Sequence, residues 1–243
     1  VRVYSAGTEG GIPFIVMAYV EGEPLDRFLQ RKGTIKWDVA LHICLKLAQA
    51  LESAHNSGIV HRDIKPSNIM LDQHGGVRLM DFGIATLHAE GGGQGGHSFL
   101  GTPQYMSPEQ ARNGEVGPTS DLYSVGVTMY QMIAGEMPFT GESPLALINS
   151  ICNDEPPRLN TLNAEVPDDV ARFVAYLMGK TSRHRPANAK VVHGMAARLL
   201  RQKGELNSTS HTITSFIQTE MEVSAFSTVQ QKTTKFKPPK TVE

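Results

Sequence analysis

Cysteine, net charge and long apolar runs are all scarce in this chain, and each scarcity removes a class of explanation. Cys44 and Cys152 are the only cysteines in 243 residues. They form no CxxC pair and no Cys/His ligand spacing, which argues against a disulfide framework and favours buried thiols in a reducing compartment. Lys and Arg number 23 against 24 Asp and Glu, a net charge of -1, so electrostatics makes no case for nucleic acid as a partner. The longest mostly apolar run, Ile12 to Val20, contains Pro13 and falls short of the roughly 20 residues that cross a bilayer, so no membrane span is expected. Nine histidines are present, yet no HExxH or clustered spacing appears among them, and zinc is not expected. Val1 is neither an initiator methionine nor the start of a signal segment, and the chain reads as a piece of something longer.

What is there is a globular composition with 40% hydrophobic residues. Val1 to Tyr4 and Pro13 to Val20 read as two strands around the turn Thr8-Glu9-Gly10-Gly11. Glu21 to Pro24 reads as a break, followed by a short helix from Leu25 to Gln30 that ends near Gly33. Trp37, Leu41, Cys44, Ala48, Leu51 and His55 recur at helical steps and define an amphipathic helix over about 36–56, closed by Gly58. Ile69 to Leu71 and Val77 to Met80 flank Gln73-His74-Gly75-Gly76 as a hairpin with Asn68 and Asp81 at its two ends. Ile84 to Gly96 is glycine-dense and reads as a mobile loop, and residues 205–243, rich in Ser and Thr, as a disordered tail or linker. Between them, Asp121 to Gly135, Leu145 to Asn153, Asp168 to Gly179 and Ala187 to Arg201 read as helices.

The informative stretch is His61-Arg62-Asp63-Ile64-Lys65-Pro66-Ser67-Asn68, followed by Asp81-Phe82-Gly83. Any one of these short patterns is weak, because loops commonly carry Asp as a turn or cap residue. In order and at this spacing, the set resembles the catalytic loop and metal-binding motif of eukaryotic-like Ser/Thr protein kinases of the bacterial type. The resemblance implies an α+β, protein-kinase-like fold, mainly the helical C-terminal lobe with a remnant of the N-lobe sheet. It covers about residues 1–201, with 1–20 as N-lobe remnant and hinge and 21–204 as the C-lobe.

Phosphoryl transfer needs an in-line hydroxyl, a proton acceptor, and cations on the phosphate oxygens. By the resemblance Asp63 orients the hydroxyl and takes its proton, and Lys65 reaches the transferring phosphate. Asn68 and Asp81 offer oxygen ligands to magnesium. Met17, Ala18 and Val20 resemble the hinge that holds the adenine of ATP, with alanine where the family usually has glutamate, and Met70 forms the floor beneath adenine. His61 packs behind Asp81, Phe82 and Gly83. Gly101-Thr102-Pro103-Gln104-Tyr105-Met106-Ser107-Pro108-Glu109 resembles the end of an activation segment and points to protein serine or threonine as acceptors. Asp121 accepts backbone N–H bonds from the catalytic loop in this reading, and Arg185 pairs with Glu109. Arg62 implies dependence on an anion in the activation loop, for which Ser98 is the first candidate and Thr86 and Thr102 the alternatives.

No glycine-rich phosphate loop, strand lysine or helix glutamate precedes the hinge in this chain. The expectation is therefore a truncated Ser/Thr kinase whose activity is impaired in this form. The alternative is a noncatalytic, pseudokinase-like binding module. A cytoplasmic setting is expected, as the free protein or as part of a membrane-anchored one, and a dimer stays open.

Overall fold

The structure, a computed structural model, describes residues 1, 3–72, 74–82 and 103–204. The loop read over Ile84 to Gly96, with Gly83, Thr86, Ser98 and Thr102, and the tail 205–243 lie outside the described residues.

Strands β1 (Val3–Glu9) and β2 (Ile12–Met17) form an antiparallel hairpin. Its turn is shorter than the sequence suggests. Glu9 pairs with Ile12, leaving only Gly10 and Gly11, at φ 58° and 84°, to reverse the chain. Two consecutive positive φ values suit a two-residue hairpin turn, and glycine reaches them without a Cβ clash. β2 stops at Met17 rather than continuing to Val20.

The segment read as a break is instead β3 (Gly22–Pro24), the edge of a three-stranded antiparallel sheet with β4 (Ile69–Asp72) and β5 (Val77–Leu79). Gly22 faces Asp72 so closely that a Cβ there would lie 2.9 Å from the Asp72 Cα. Glycine thus permits the pairing, and Pro24 is tolerated because the strand is short and at the edge.

Helices make up the body: α1 (Leu25–Lys32), α2 (Trp37–Asn56), α3 (Pro108–Ala111), α4 (Pro118–Ala134), α5 (Pro144–Asn153), α6 (Leu159–Leu162), α7 (Asp168–Leu177) and α8 (Ala189–Gln202). α4 and α5 begin earlier than read because Pro118 and Pro144 occupy first-turn positions, where a missing N–H costs nothing. α4 is buried almost all round, from Ser120 to Tyr130, which marks a helix at the centre of the core. α2 packs against α8 and α4, and α7 packs against α4 as well. Gly126 makes the α4–α7 approach possible: a Cβ there would lie 2.7 Å from Leu177 Cβ.

Candidate active site

The loop from His61 to Asn68 runs between the end of α2 and the start of β4, and both of its ends are pinned. Gly58, at φ 75°, lets the chain leave α2. At the other end the β4–β5 ladder runs on by one bond, in which Met80 N–H donates to Asn68 O at 2.8 Å. The hairpin therefore sets Asn68 beside Met80 and so next to Asp81. Its turn is tied by Asp72, whose Oδ1 accepts from His74 N at 3.0 Å and from Gly76 N at 2.6 Å.

Within the loop, Lys65 Nζ lies 2.8 Å from Asp63 Oδ2. Asn68 Nδ2 donates to Asp63 O at 2.8 Å and to Asp63 Oδ2 at 3.0 Å. Asp63 is thus held from two sides while its side chain stays 40% exposed and reachable by a reactant. Asn68 itself is buried.

Asp121, at 1% exposure, anchors the loop from α4. Its Oδ2 accepts from His61 N and its Oδ1 from Arg62 N, both at 2.8 Å. Arg62 has φ 67°, a left-handed conformation unfavourable for a residue with a Cβ, and Asp121 grips the amide at that position. Asp81 is also left-handed, at φ 54°. The Nε2 of the buried His61 lies 2.7 Å from Met80 O, while its Nδ1 accepts from Asp63 N at 3.3 Å. One ring nitrogen donates and the other accepts, so the ring is neutral, in keeping with a pKa lowered by burial. Its ring lies 4.7 Å from that of Phe82.

Arg185 donates to both oxygens of Glu109 at 2.7 Å, to Thr119 O at 3.0 Å and to Gly179 O at 2.6 Å. Ser120 Oγ adds a bond to Glu109 at 2.6 Å. Burial pushes the Glu109 carboxyl up, but the bonds from Arg185 and Ser120 outweigh it and hold the pKa at about 2.

Three contributors were not assigned from the sequence. His55 Nε2 is 2.8 Å from Asp121 Oδ2, adding a third group to that carboxylate. Gln110 Nε2 donates to Arg62 O at 2.9 Å and so ties α3 to the loop from His61 to Asn68. Ser120 supports Glu109. His55 had a signal in its place on the apolar stripe of α2. Gln110 had one too, standing three residues after Ser107 as the partner in a capping box.

In the segment read as the hinge, Met17 closes β2, and Ala18 and Val20 are half-buried while Tyr19 is 90% exposed. Met70 on β4 pairs with Pro24 of β3, the strand that directly follows that segment.

The donor set fits a hard divalent cation. The Asn68 amide nitrogen is committed to Asp63, which leaves the Oδ1 lone pairs, and Asp81 adds an exposed carboxylate at the adjoining hairpin end. Magnesium is commonly held by only one or two protein oxygens, with substrate phosphates completing its shell. Among the described residues no group of three His, Cys, Asp or Glu could hold a metal ion, and no helix is long and apolar enough to cross a membrane.

A small sheet leading into a helical body built around α4 is the protein kinase fold. The crystal structure of Rad53 1-466 in complex with AMP-PNP superposes with a TM-score of 0.68 at 25% identity, over 80% of this chain and 49% of that one. The chain belongs to the protein kinase domain family, whose model matches residues 1–196. It is 36% identical over 190 residues to the serine/threonine-protein kinase PrkC of Bacillus subtilis, covering 78% of this chain and 29% of the relative. It is also 36% identical over 189 residues to the serine/threonine-protein kinase PknL of Mycobacterium tuberculosis, covering 78% of this chain and 47% of the relative. The sequence thus spans less than half the length of either relative.

Proposed function

We propose that this protein is a Ser/Thr protein kinase that transfers the γ-phosphoryl group of ATP to serine or threonine hydroxyls of protein substrates. The observation that carries the reading is Asp63, exposed to a reactant yet held between Lys65 and Asn68 on a loop gripped by Asp121. The bond between the γ-phosphorus and its bridging oxygen breaks, a bond to the acceptor oxygen forms, and the acceptor's proton passes to the Asp63 carboxylate. Lys65 supplies a positive charge within reach of the moving phosphoryl group. Asn68 Oδ1 and Asp81 would hold magnesium, which would offset charge on the phosphate oxygens. Met17, Ala18, Val20 and Met70 form the adenine site. Residues 1–20 serve as N-lobe remnant and hinge and 21–204 as the C-lobe, in a cytoplasmic setting. Arg62 reads an anion on the activation segment, with Ser98 as its first candidate source.

The experiment incubates the full-length natural protein with labelled ATP, magnesium and a generic basic protein, and identifies the phosphorylated amino acid. Phosphoserine or phosphothreonine, lost in Asp63→Asn, is expected. Nucleotide-dependent thermal stabilisation without any phosphate transfer would replace this reading with a noncatalytic binding module.

A further inference from the structure

The C-terminal end of α5 is held by two cations from different parts of the chain. A helix cannot satisfy its last carbonyls itself, and its dipole favours positive charge there. Ser150 O is taken by Asp154 N at 2.9 Å. The next carbonyl, Ile151 O, accepts from Lys180 Nζ at 2.9 Å, and the one after, Cys152 O, accepts from Arg112 at 3.0 Å. Arg112 is the C-cap of α3. Lys180 lies just beyond α7, and its ammonium also sits 3.9 Å from the centroid of the Phe139 ring.

These contacts close a ring. Lys180 and Arg185 stand on one short stretch between α7 and α8: the first grips α5, and the second grips α3 through Glu109. α3 and α5 then meet directly through Arg112 and through the Cys152 thiol, 3.8 Å from Pro108 O. α3 is also tied to the catalytic loop by Gln110 and Arg62. A half-buried lysine is an expensive way to cap a helix if capping is all that is required, since water would satisfy the same carbonyl.

We propose that Lys180 is a positioning residue that sets α5 in register with α3, and through α3 with the loop carrying Asp63. The first turn of α5 is exposed, with Leu145 at 76%, and lies on an element braced to that loop. On the kinase reading above, a shift of α5 reaches the Asp63 loop through α3 and Gln110, so Lys180 acts on placement of the polypeptide acceptor at Asp63 rather than on ATP.

The test is hydrogen exchange read by mass spectrometry on the full chain, comparing wild type, Lys180→Met and, as a control, Lys190→Met on the exposed face of α8. Loss of a charge-assisted bond predicts exchange in 144–153 faster by about tenfold, with α2 and α8 unchanged. Unchanged exchange of α5 in Lys180→Met would overturn the proposal. If that variant loses protection everywhere, Phe139→Leu decides, because it keeps the amine and removes the ring that seats it; faster exchange confined to α5 supports the proposal and none refutes it. In the full-length natural protein, Lys180→Met should raise KM for the acceptor severalfold and leave KM for ATP unchanged. Equal shifts in both would contradict the positioning role. Absence of phosphate transfer in the wild type would count against the kinase reading alone, and the exchange result would still judge Lys180.

Discussion

Arg185 and Glu109, 76 positions apart, meet in a two-armed ion pair with both contacts at 2.7 Å and the arginine side chain at 0% exposure. The guanidinium also lies 4.9 Å from the Tyr123 ring and donates to two backbone carbonyls. Arg185→Ala would leave Glu109 with only the Ser120 bond and those carbonyls without their donor. Breaking a buried pair on one side costs about 3–5 kcal/mol, to be measured by urea unfolding. Arg185→Lys should recover little, because an ammonium cannot reproduce the planar fork.

The same pair predicts a pH dependence. Glu109 has a folded-state pKa of about 2 against an ordinary 4.5. Its contribution is fully present above 4.5 and is lost as the pH falls through 4.5 toward 2. Urea midpoints should drop over that window, and Glu109→Gln should flatten the drop while lowering stability at neutral pH.

At alkaline pH two groups act in opposite senses. Burial lowers Lys180 to about 8 against the raising effect of Glu155 and Asp154, so the folded state sheds this proton first and gains stability from about pH 8 to 10.5. Burial raises Cys44 from 9.0 to about 12, so its contribution is lost as the pH rises above 9. Lys180→Met should remove the gain and Cys44→Ala should soften the loss, both read from unfolding midpoints across pH 7 to 10.

Much of the site was legible because it is local. Asp63, Lys65, Asn68 and Asp81 fall within one loop and one hairpin, so spacing alone constrains their arrangement. What escaped depends on distant partners. β3 exists because Gly22 lets the chain lie against Asp72, a pairing across 50 positions with only three residues of strand pattern to announce it. His55 and Gln110 act through Asp121 and Arg62, and neither residue type on its own signals such a contact. Gly126 lies inside the helix read over Asp121 to Gly135, and its use emerges only once α7 is placed against it.

Gly126→Ala tests that last point. In most helix interiors the change is stabilising, by roughly 0.5–1 kcal/mol. Here the new Cβ would meet Leu177 Cβ at 2.7 Å and Met178 Cγ at 2.9 Å. The expected outcome is destabilisation by about 1–3 kcal/mol, seen as a lower Tm.

Asp121→Ala should uncouple the loop from α4. The His61 and Arg62 amides and the His55 ring would lose their common acceptor, and the left-handed Arg62 would lose its restraint. Displacing Asp63 by about 1 Å is enough to cost about 100-fold in turnover, with KM for ATP little changed, as steady-state kinetics on the full-length natural protein would show.

The most direct test of the account is the turnover rate of the full-length natural protein against its Asp63→Asn variant, with ATP, magnesium and a protein acceptor at saturation. A positioned proton acceptor predicts a fall of about 10²–10⁴-fold with ATP affinity retained. Equal rates in the two proteins would contradict the assignment of Asp63, and with it the chemistry proposed for the site.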